Sequence, residues 1–312
     1  MIVPVDASNI ADAAAVHAAA WRASHCAFCT PEFVALHTAE RQAAYLQTKL
    51  DAGSRFFLLV DDQPVGVVSV TGDLIEDLYV LPEQQGRGYG TKLLRFAAAI
   101  CPGTPMLWIL ENNAGARRLY ARLGFFETGN RKVTPGGLDE IELVQKPERM
   151  ETKRLILDRI KETDQEDYFN SISHDKKVLK TFVCRYAESL GTFDFSTYLG
   201  RDDLFAIRLK ETGRLIGIIL YFDEQDGACE IGYGIGSDHW NKGYVTEAVK
   251  RFLSYLFEEK GMKTVYASYF TGNDASRRVM EKCGMQYSRF SEREFEYLGE
   301  WRDLTYYAVT RS

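Results

Sequence analysis

The sequence of 312 residues has no apolar run that could cross a membrane, which takes about 18 residues. Residues 1–6 lack the basic stretch and apolar segment of a secretory signal peptide. Neither half has a basic surplus: residues 1–150 hold 14 Lys and Arg against 17 Asp and Glu, and residues 151–312 hold 24 against 27. We therefore predict a cytoplasmic protein with neither membrane nor nucleic acid as a partner.

Cysteine is too scattered for a disulfide framework, and a chain of this length can bury a core without one. Reduced thiols are expected for all six: Cys26, Cys29, Cys101, Cys184, Cys229 and Cys283. His25, Cys26, Cys29 and His37 have zinc-ligand chemistry, but the second ligand pair of a zinc site is missing from this stretch. Ordinary packing is the favoured interpretation, and no metal is predicted.

Glycine, by contrast, occurs twice in the same loop pattern, at a constant offset of 155 residues. The first loop consists of Gln85, Gly86, Arg87, Gly88, Tyr89, Gly90 and Thr91. The second consists of Trp240, Asn241, Lys242, Gly243, Tyr244, Val245 and Thr246. Each loop follows an apolar strand and opens a helix, which is the layout of a backbone cradle for phosphate.

A second motif also repeats: Asn113 and Tyr120 recur as Asn273 and Met280, at an offset of 160 residues. The five extra residues of the second copy fit a longer helix over residues 246–260. Two ordered motifs at nearly fixed spacing indicate an internal duplication. We predict domains at residues 1–148 and 151–312, with the polar, proline-containing segment 145–152 as a linker.

Both halves are predicted to have a mixed α/β fold with the order β-α-α-β-β-β-α-β-α-β-β. In the first half, Asp6 to Ser8 is expected to cap a helix that runs to about His25. A second helix is expected from Glu40 to Asp51. In the second half, helices are expected between Glu162 and Leu190.

This order and these motifs resemble the GNAT superfamily of acyl-coenzyme A-dependent N-acetyltransferases, twice over nearly the whole chain. The family's loop pattern is Gln/Arg-x-x-Gly-x-Gly/Ala, which Gln85, Gly88 and Gly90 match in full. In the second loop Gly243 matches, while Trp240 and Val245 replace the first and last positions.

The second half also resembles the branch of ribosomal-protein N-terminal acetyltransferases. The resemblance rests on four stretches, namely Thr152-x-Arg154-Leu155-x-Leu157, residues 231–233, the loop with Glu247 and Ala248 after it, and residues 273–285. Trp and a small apolar residue are usual in that branch at the two deviating loop positions. The deviations therefore do not indicate a dead site.

The resemblance implies acetyl-coenzyme A as cosubstrate, with its pyrophosphate on the loop amides. Asn113 and Asn273 join the two loops as implied coenzyme-binding residues. A backbone N–H at the splayed end of the fourth strand is implied to stabilise the oxyanion. The candidates for this contact are Leu78, Val80, Tyr233 and Ile235.

The departing thiolate needs a proton, and Tyr120 aligns with the family's general-acid tyrosine. The alternative for Tyr120 is a half-buried aromatic on an amphipathic helix. Met280, at the same position of the second half, cannot donate a proton. Ser276 is the substitute that the resembled branch suggests, and an ordinary hydroxyl near the helix start is its alternative.

A base must take the proton of the attacking amine, whose ordinary pKa is about 10.4 when it is of the lysine type. Glu76 and Asp77 in the first half and Glu230 in the second are the carboxylates of the fourth strands. Strand alternation predicts that Glu76 and Asp77 point to opposite faces, so only one can face the acceptor. Glu76 and Glu230 are the predicted bases, and an exposed strand end is the alternative.

The predicted function is transfer of an acetyl group to a primary amine, of a small molecule or a protein N-terminus, by direct attack on the thioester. The alternatives are a non-catalytic acetyl-coenzyme A sensor in one or both halves and a tandem enzyme like mycothiol synthase. Acceptor contacts are expected near Trp21, Tyr297 and Trp301. The acceptor's identity and a homodimeric state are left open.

Overall fold

The computed structural model describes residues 1–27, 29–134 and 137–311. Two compact units divide the chain, Met1–Pro147 and Glu148–Ser312. Each unit contains one mixed sheet flanked by helices. The predicted mixed α/β class is therefore confirmed.

The sheet of the first unit has seven strands in the order β1-β2-β3-β4-β5-β7-β6. Only β4 and β5 pair in parallel within it; the other neighbours in the described sheet are antiparallel. The strands are β1 (Ile2–Pro4), β2 (Arg55–Asp61), β3 (Gln63–Thr71), β4 (Leu74–Val80), β5 (Met106–Leu110), β6 (Phe125–Val133) and β7 (Asp139–Gln145). The helices are α1 (Ile10–His25), α2 (Pro31–Ala35), α3 (Ala39–Asp51), α4 (Tyr89–Ile100) and α5 (Ala114–Arg122).

The sheet of the second unit has eight strands in the order β14-β15-β13-β12-β11-β10-β9-β8, with β12 and β13 parallel. The strands are β8 (Arg149–Glu151), β9 (Leu155–Arg159), β10 (Leu204–Leu209), β11 (Leu215–Gln225), β12 (Ala228–Ile235), β13 (Thr264–Phe270), β14 (Gln286–Tyr297) and β15 (Glu300–Thr310). The helices are α6 (Gln165–Tyr168), α7 (Tyr244–Glu258) and α8 (Asp274–Lys282).

Half of the segment predicted as a linker, residues 145–152, is strand. It contains the end of β7 and the whole of β8, which pairs with β9. Met150, opposite Leu157, is only 2% exposed and belongs to the core of the second unit. This buried side chain explains why a polar-looking segment folds as a sheet edge.

The helices predicted between Glu162 and Leu190 are also wrong in extent. The segment forms the four-residue α6, a π turn over residues 169–173 and short 3-10 turns. Asp175 Oδ1 accepts hydrogen bonds from the backbone N–H groups of Lys177 and Val178, at 2.9 and 3.4 Å. Such local bonds compete with helix continuation, so the chain turns repeatedly instead.

The start of α1 also differs from the prediction. The helix begins at Ile10 with Asn9 as its N-terminal cap, while Asp6 and Ser8 form a turn ahead of it. The five extra residues between the glycine loop and the asparagine motif of the second half are divided between a helix and a strand. Helix α7 has 15 residues against 12 in α4, and β13 has seven against five in β5, which adds three residues and two.

Each unit has its own apolar core under the helices that follow the glycine loops. In the second unit, Ala248, Val249, Phe252 and Leu256 of α7 are fully buried against the sheet. In the first, Leu93, Leu94 and Ala97 of α4 are likewise fully buried. These contacts fix the start of each helix, and hence the loop, against the end of the preceding strand.

Candidate active sites

The central parallel strands of each unit separate towards the glycine loops. In the first unit β4 and β5 pair only at Leu74 and Met106. In the second, β12 and β13 pair as far as Ile231 and Ala267, four residues before β12 ends. Each sheet therefore opens a cleft beside the strand end that leads into the glycine loop.

The two glycine loops have the same backbone conformation. Gly88 and Gly243 are the N-terminal caps of α4 and α7, with φ of 85° and 77°. Two residues earlier, Gly86 and Asn241 have φ of 79° and 61°. Asn is among the few residues that adopt this left-handed conformation readily, so the Gly-to-Asn difference preserves the loop.

The first residue of each loop ties it to the end of the preceding strand. Gln85 Nε2 donates a hydrogen bond to the carbonyl of Val80 at 3.2 Å. Trp240 Nε1 donates to the carbonyl of Ile235, the corresponding residue, at 2.9 Å. The tryptophan of the second loop thus replaces the glutamine amide with an indole donor.

Different residues brace the two loops from outside. Tyr89 donates its hydroxyl to Asp61 at the end of β2. In the second unit, the Arg154 guanidinium lies 4.4 Å from the centre of the Tyr244 ring and donates to the Lys242 carbonyl at 2.9 Å.

Arg154 is itself held by α7, because its Nε donates to Glu247 Oε2 at 2.7 Å and its backbone N–H to Oε1 at 2.8 Å. The Thr152-x-Arg154 motif of the sequence is therefore a brace for the second loop.

The remaining loop side chains leave the helix starts accessible. Arg87, Asn241 and Lys242 are exposed, and Thr91 and Thr246 are half-buried. Val245 and Gly90 occupy the last position of the family's loop pattern. Val245 packs on the core of the second unit. In the first unit a Cβ on Gly90 would lie 3.4 Å from the Leu119 side chain.

Strand β4 contains a bulge that sequence alternation does not foresee. Tyr79 lies opposite Val67 and Glu76 opposite Ser69, so Asp77 and Leu78 together face one residue of β3. Asp77 has φ of 48°. A bulge breaks the alternation of side chains. The prediction that Glu76 and Asp77 point to opposite faces is therefore wrong, since both reach helices on the same side.

Asp77 accepts hydrogen bonds from three surrounding side chains. His17 Nε2 of α1 lies 3.1 Å from Oδ1, and Ser69 Oγ and Tyr45 Oη lie 2.8 and 3.2 Å from Oδ2. Burial by itself raises the pKa of Asp77, but the hydrogen bonds and charge of His17, with the bond from Ser69, lower it overall. The carboxylate is thus kept ionised inside a polar network.

His17 was not foreseen as a site residue. It is 3% exposed, and its Nδ1 is buried without a hydrogen-bond partner in the described chain. In the sequence, the one feature that could have pointed to His17 is its place among the alanines of α1. An ordinary buried histidine of the core would give the same pattern.

Glu76 has a separate environment beside the same helices. Its Oε2 accepts from Lys49 Nζ of α3 at 2.6 Å and from Thr71 Oγ1 at 3.4 Å. No hydrogen bond or ion pair among the described residues involves Oε1. One carboxylate oxygen therefore stays available on this face of the sheet.

Strand β12 has no such bulge between Glu230 and Ile235, which pair in regular register with β11. Glu230 lies five residues before Ile235, whereas Glu76 lies four before Val80. Glu230 Oε1 accepts from Ser268 Oγ at 2.6 Å. Burial raises the pKa of Glu230 above its ordinary value, although the Ser268 hydrogen bond opposes the shift. The two predicted bases therefore differ in position and environment.

The repeated spacing after β5 and β13 places an asparagine at a helix start in each half. Asn113 Oδ1 accepts from the Ala116 N–H at 3.0 Å, and Asn273 Oδ1 from the Ser276 N–H at 3.3 Å. Both asparagines are thus N-terminal caps, of α5 and α8. Asn273 Nδ2 also donates to Ser276 Oγ at 3.1 Å.

Tyr120 and Met280 lie on the inner faces of α5 and α8. Tyr120 is 8% exposed, and burial raises its pKa to about 12. Met280 is fully buried in the second core. Tyr233, on β12, donates its hydroxyl to the Ser276 carbonyl at 3.4 Å. Burial raises the Tyr233 pKa.

Aromatic side chains line the helical side of the first unit. Trp21 is stacked between His25 and His37, with ring centres 4.0 and 3.4 Å away. All six cysteines are free. Within the described ranges, no group of three or more His, Cys, Asp and Glu could hold a metal ion. No described helix is long and apolar enough to cross a membrane.

In the second unit, Tyr297 of β14 reaches the segment after the 3-10 turn at residues 178–180. Its hydroxyl lies 3.2 Å from the carbonyl oxygens of both Phe182 and Cys184. The Phe182 ring in turn packs on Gly234, where a Cβ would lie only 2.7 Å from it. Trp301, the other aromatic predicted to contact the acceptor, is 52% exposed.

Two family models match the chain, one in each half. Residues 19–125 match the acetyltransferase (GNAT) family, and residues 154–286 match an acetyltransferase (GNAT) domain. The N-acetyltransferase YoaA of Bacillus subtilis, itself uncharacterized, is 30% identical over 156 residues, which are 44% of this chain and 82% of YoaA.

The chain belongs to the GNAT family of acetyltransferases. A shorter match, 31% identical over 101 residues, is to YdaF of the same organism, whose name gives ribosomal N-acetyltransferase as a provisional activity. It covers 32% of this chain and 55% of YdaF. A GNAT acetyltransferase structure from Bacillus anthracis is 27% identical, with a TM-score of 0.48, and covers 52% of this chain and 98% of its own.

The predicted tandem GNAT family is thus confirmed, and the chain is an N-acetyltransferase whose family uses acetyl-coenzyme A.

Proposed function

We propose that each half, with bounds near residues 1–148 and 151–312, holds one acetyl-coenzyme A and transfers its acetyl group to a primary amine. The observation that carries this proposal is the repeated loop geometry. A side-chain N–H anchors each loop to the last strand carbonyl, and a left-handed glycine opens the helix. Such a conserved backbone built from different side chains indicates selection for the same ligand in both halves.

The donor pyrophosphate would lie against the N–H groups at the starts of α4 and α7. These groups have no partner inside the helix, and the helix dipole adds partial positive charge at the same point. The residues we propose for this contact are those of the two loops, 85–91 and 240–246. Arg87 and Lys242, both exposed, add charge beside them.

The thioester would lie in the cleft where the central strands separate. Backbone N–H groups of Leu78 or Val80 in the first half, and of Tyr233 or Ile235 in the second, are proposed to stabilise the oxyanion. The four residues belong to the strand ends that run beside the open clefts. Attack is direct, so the amine nitrogen bonds to the acetyl carbon as the carbon–sulfur bond breaks.

A different group protonates the leaving thiolate in each half. Burial keeps Tyr120 protonated, with a pKa of about 12, so it can donate its proton as the thiolate forms. In the second half, Ser276 Oγ accepts a hydrogen bond from Asn273 Nδ2, which leaves its own O–H free to donate. Asn113 and Asn273 hold these helix starts in place.

Carboxylates of the central strands are proposed to remove the amine proton. Glu76 has a free Oε1, while Oε2 is held by Lys49. Glu230 has a raised pKa, which moves the base towards the pH at which the enzyme works. Asp77, whose oxygens are occupied by three donors, is better placed to position His17 and Tyr45 than to act as base.

The acceptor class that we propose follows from the family. A primary amine, of a small molecule or a peptide N-terminus, is an acceptor that an N-acetyltransferase can use by direct attack. The ribosomal name of the relative YdaF favours a peptide N-terminus for one half.

Release of free thiol from acetyl-coenzyme A tests this function. The purified full chain should release thiol with at least one member of a panel of amines and N-terminal peptides, above the acceptor-free rate. A mass increase of one acetyl group on that acceptor should accompany the thiol. Saturable binding of coenzyme A without transfer to any acceptor would instead support a sensor.

A further inference from the structure

An open pocket of about 510 Å³ lies where β13 ends and α8 begins. Its lining includes Lys180, Thr181, Phe270, Asp274, Arg278 and Arg302. This volume is in the range of small-molecule sites, which is about 300–1,000 Å³. Asn273, which bonds the proposed acid Ser276, also lines the pocket. The pocket therefore adjoins the proposed reaction centre.

The pocket lies at the end of the sheet and is bordered from both of its faces. Helix α8, whose start lines the pocket, packs with α7 on one face, in the core cluster that contains Ile219 and Ile231. Phe182, directly after Lys180 and Thr181, packs on the other face in the cluster that contains Ile218. Since the loop of residues 240–246 leads into α7, a molecule bound beside Lys180 and Thr181 would approach the thioester from the side opposite the donor loop, as an acceptor must.

Positive charge predominates in the pocket. Lys180 and Arg278 form no ion pair within the described chain, while Arg302 Nη2 bonds Glu300 Oε2 at 2.8 Å. Asp274, the acidic residue in the lining, already bonds Arg277 Nε at 3.2 Å. Three cations therefore face the pocket with one partly neutralised carboxylate.

Arg302 also carries a donor that the described residues leave unsatisfied. Its Nε is buried without a hydrogen-bond partner, and its guanidinium lies 5.9 Å from the centre of the Phe270 ring. A buried N–H of a charged group is costly to leave unpaired. The Nε atom is shielded from solvent, so a ligand would pair with the Arg302 charge through the rest of the guanidinium.

The first half differs in charge at the corresponding places. In the second half, Phe270 of β13 pairs with Leu304 of β15. Its counterpart in the first half is Leu110 of β5, which pairs with Glu140 of β7. Arg302, two residues before Leu304, thus corresponds to Leu138.

The residue after each central strand differs as well, being Thr271 in the second half and Glu111 in the first. Arg278 has a counterpart in Arg118. The difference in charge between the halves therefore comes from Glu111 and Glu140 in the first half and from Arg302 in the second.

We propose that the second half selects amine acceptors that carry a carboxylate near the amine, and that Lys180, Arg278 and Arg302 bind this carboxylate. The proposal rests on the proposed function of this half and specifies its substrate class. Paired charged hydrogen bonds from guanidinium to carboxylate provide both strength and orientation.

The test compares matched acceptors that differ only in charge, using the full chain with Gly88→Val to remove the first donor site. One pair is the peptide amide Ser-Ala-Asp-Glu-Ala and its Ser-Ala-Asn-Gln-Ala analogue; the other is γ-aminobutyrate and its amide. We expect kcat/KM to be at least tenfold higher for the acidic member of one pair. The pair that shows it identifies the source of the carboxylate, peptide or small molecule.

Two variants and a matched control connect this preference to the pocket. Arg302→Gln and Arg278→Gln should each lower the acidic preference at least threefold, by raising KM rather than lowering kcat. Arg311→Gln, whose ion pair with Glu258 lies outside the pocket lining, should leave the preference unchanged. If Arg302→Gln does not fold, Arg278→Gln and a loss of preference at high salt decide the question.

Equal kcat/KM within both pairs would overturn the carboxylate proposal while leaving the transferase function intact. A preference that survives both pocket variants would also overturn it. No transfer to any acceptor would instead contradict the proposed function itself.

Discussion

The two halves of the chain share the backbone geometry of the proposed donor loop and differ along the strand that we propose faces the acceptor. On the donor side, Gln85 and Trp240 differ chemically, yet each donates to the last carbonyl of its strand. On the acceptor side, β4 carries a bulge at Asp77 and β12 runs regularly past Glu230. This difference is what a duplication would leave if both loops kept the proposed donor and the proposed acceptor changed.

The charges beside the two proposed acceptor sites also differ. In the first half the buried Asp77 network and Glu76 lie beneath α1 and α3. In the second half Lys180, Arg278 and Arg302 line the pocket by α8. Because acceptor discrimination depends on contacts with the acceptor itself, these differences predict two specificities.

The largest effect is expected from the glycines that open the helices. Gly88→Val and Gly243→Val should each abolish one of two coenzyme A sites, because a β-branched residue at this φ costs about 1–2 kcal/mol and fills the space that phosphate needs. Isothermal titration should show two equivalents for the wild type and one for each variant.

Gly53→Val provides the matched control for this strain. Gly53 has φ of 93°, and a Cβ there would meet nothing within 4 Å, as at Gly88. The control should lose similar stability but keep both sites. One equivalent in the unmodified chain would mean that only one loop binds the donor.

A somewhat smaller effect is expected from the leaving-group acids. Tyr120→Phe should lower kcat of the first half about 100-fold while coenzyme affinity stays nearly constant, because the hydroxyl acts only as the thiolate forms. Ser276→Ala should do the same in the second half. Steady-state kinetics of Tyr120→Phe in the Gly243→Val background isolate the first half, and those of Ser276→Ala in the Gly88→Val background isolate the second. Unchanged turnover in either case would exclude the substituted residue as the acid of that half.

The fold and the strand-loop-helix layout of the glycine loops could be predicted because they depend on local patterns. Glycine position and strand-to-helix order set the loop, and Asn241 takes a left-handed conformation that its type tolerates. The bulge at Asp77 could not be predicted, because alternation is the default and only the pairing with β3 shows the extra residue. His17 and Arg302 acquire their roles from residues far along the chain, which spacing does not show.

A modest effect is expected from the first loop position. Trp240→Phe removes the N–H that bonds Ile235, which should weaken coenzyme binding to the second half about fivefold, for a hydrogen bond of about 1 kcal/mol. Trp240→Gln should restore much of the affinity, since Gln85 makes the equivalent bond. Titration of the Gly88→Val background measures both, and equal weakening by the two variants would show that ring packing matters instead.

The smallest effect is expected in the pH profiles. The pKa of Glu230 is raised, so it takes up a proton at higher pH than an ordinary glutamate and the second half loses its base as pH falls. The acid limb of kcat/KM of the second half should thus lie at higher pH than an ordinary glutamate would place it. The pKa of Asp77 is lowered, so its network in the first half stays ionised to lower pH and should not set the acid limb of that half.

Glu230→Gln checks this assignment. The variant should lose most activity of the second half at neutral pH and show no acid limb in what remains. An unchanged limb in Glu230→Gln would assign the titration to another group.

Acceptor profiles of the two single-site chains test the central claim that the halves share a donor and differ in acceptor. The measurement is kcat/KM for one panel of amines and N-terminal peptides, with Gly243→Val reporting the first half and Gly88→Val the second. The account predicts that the best acceptors of the two variants differ, with carboxylate-bearing amines preferred only by Gly88→Val. Matching profiles with similar kcat/KM would contradict it and indicate duplication of a single specificity.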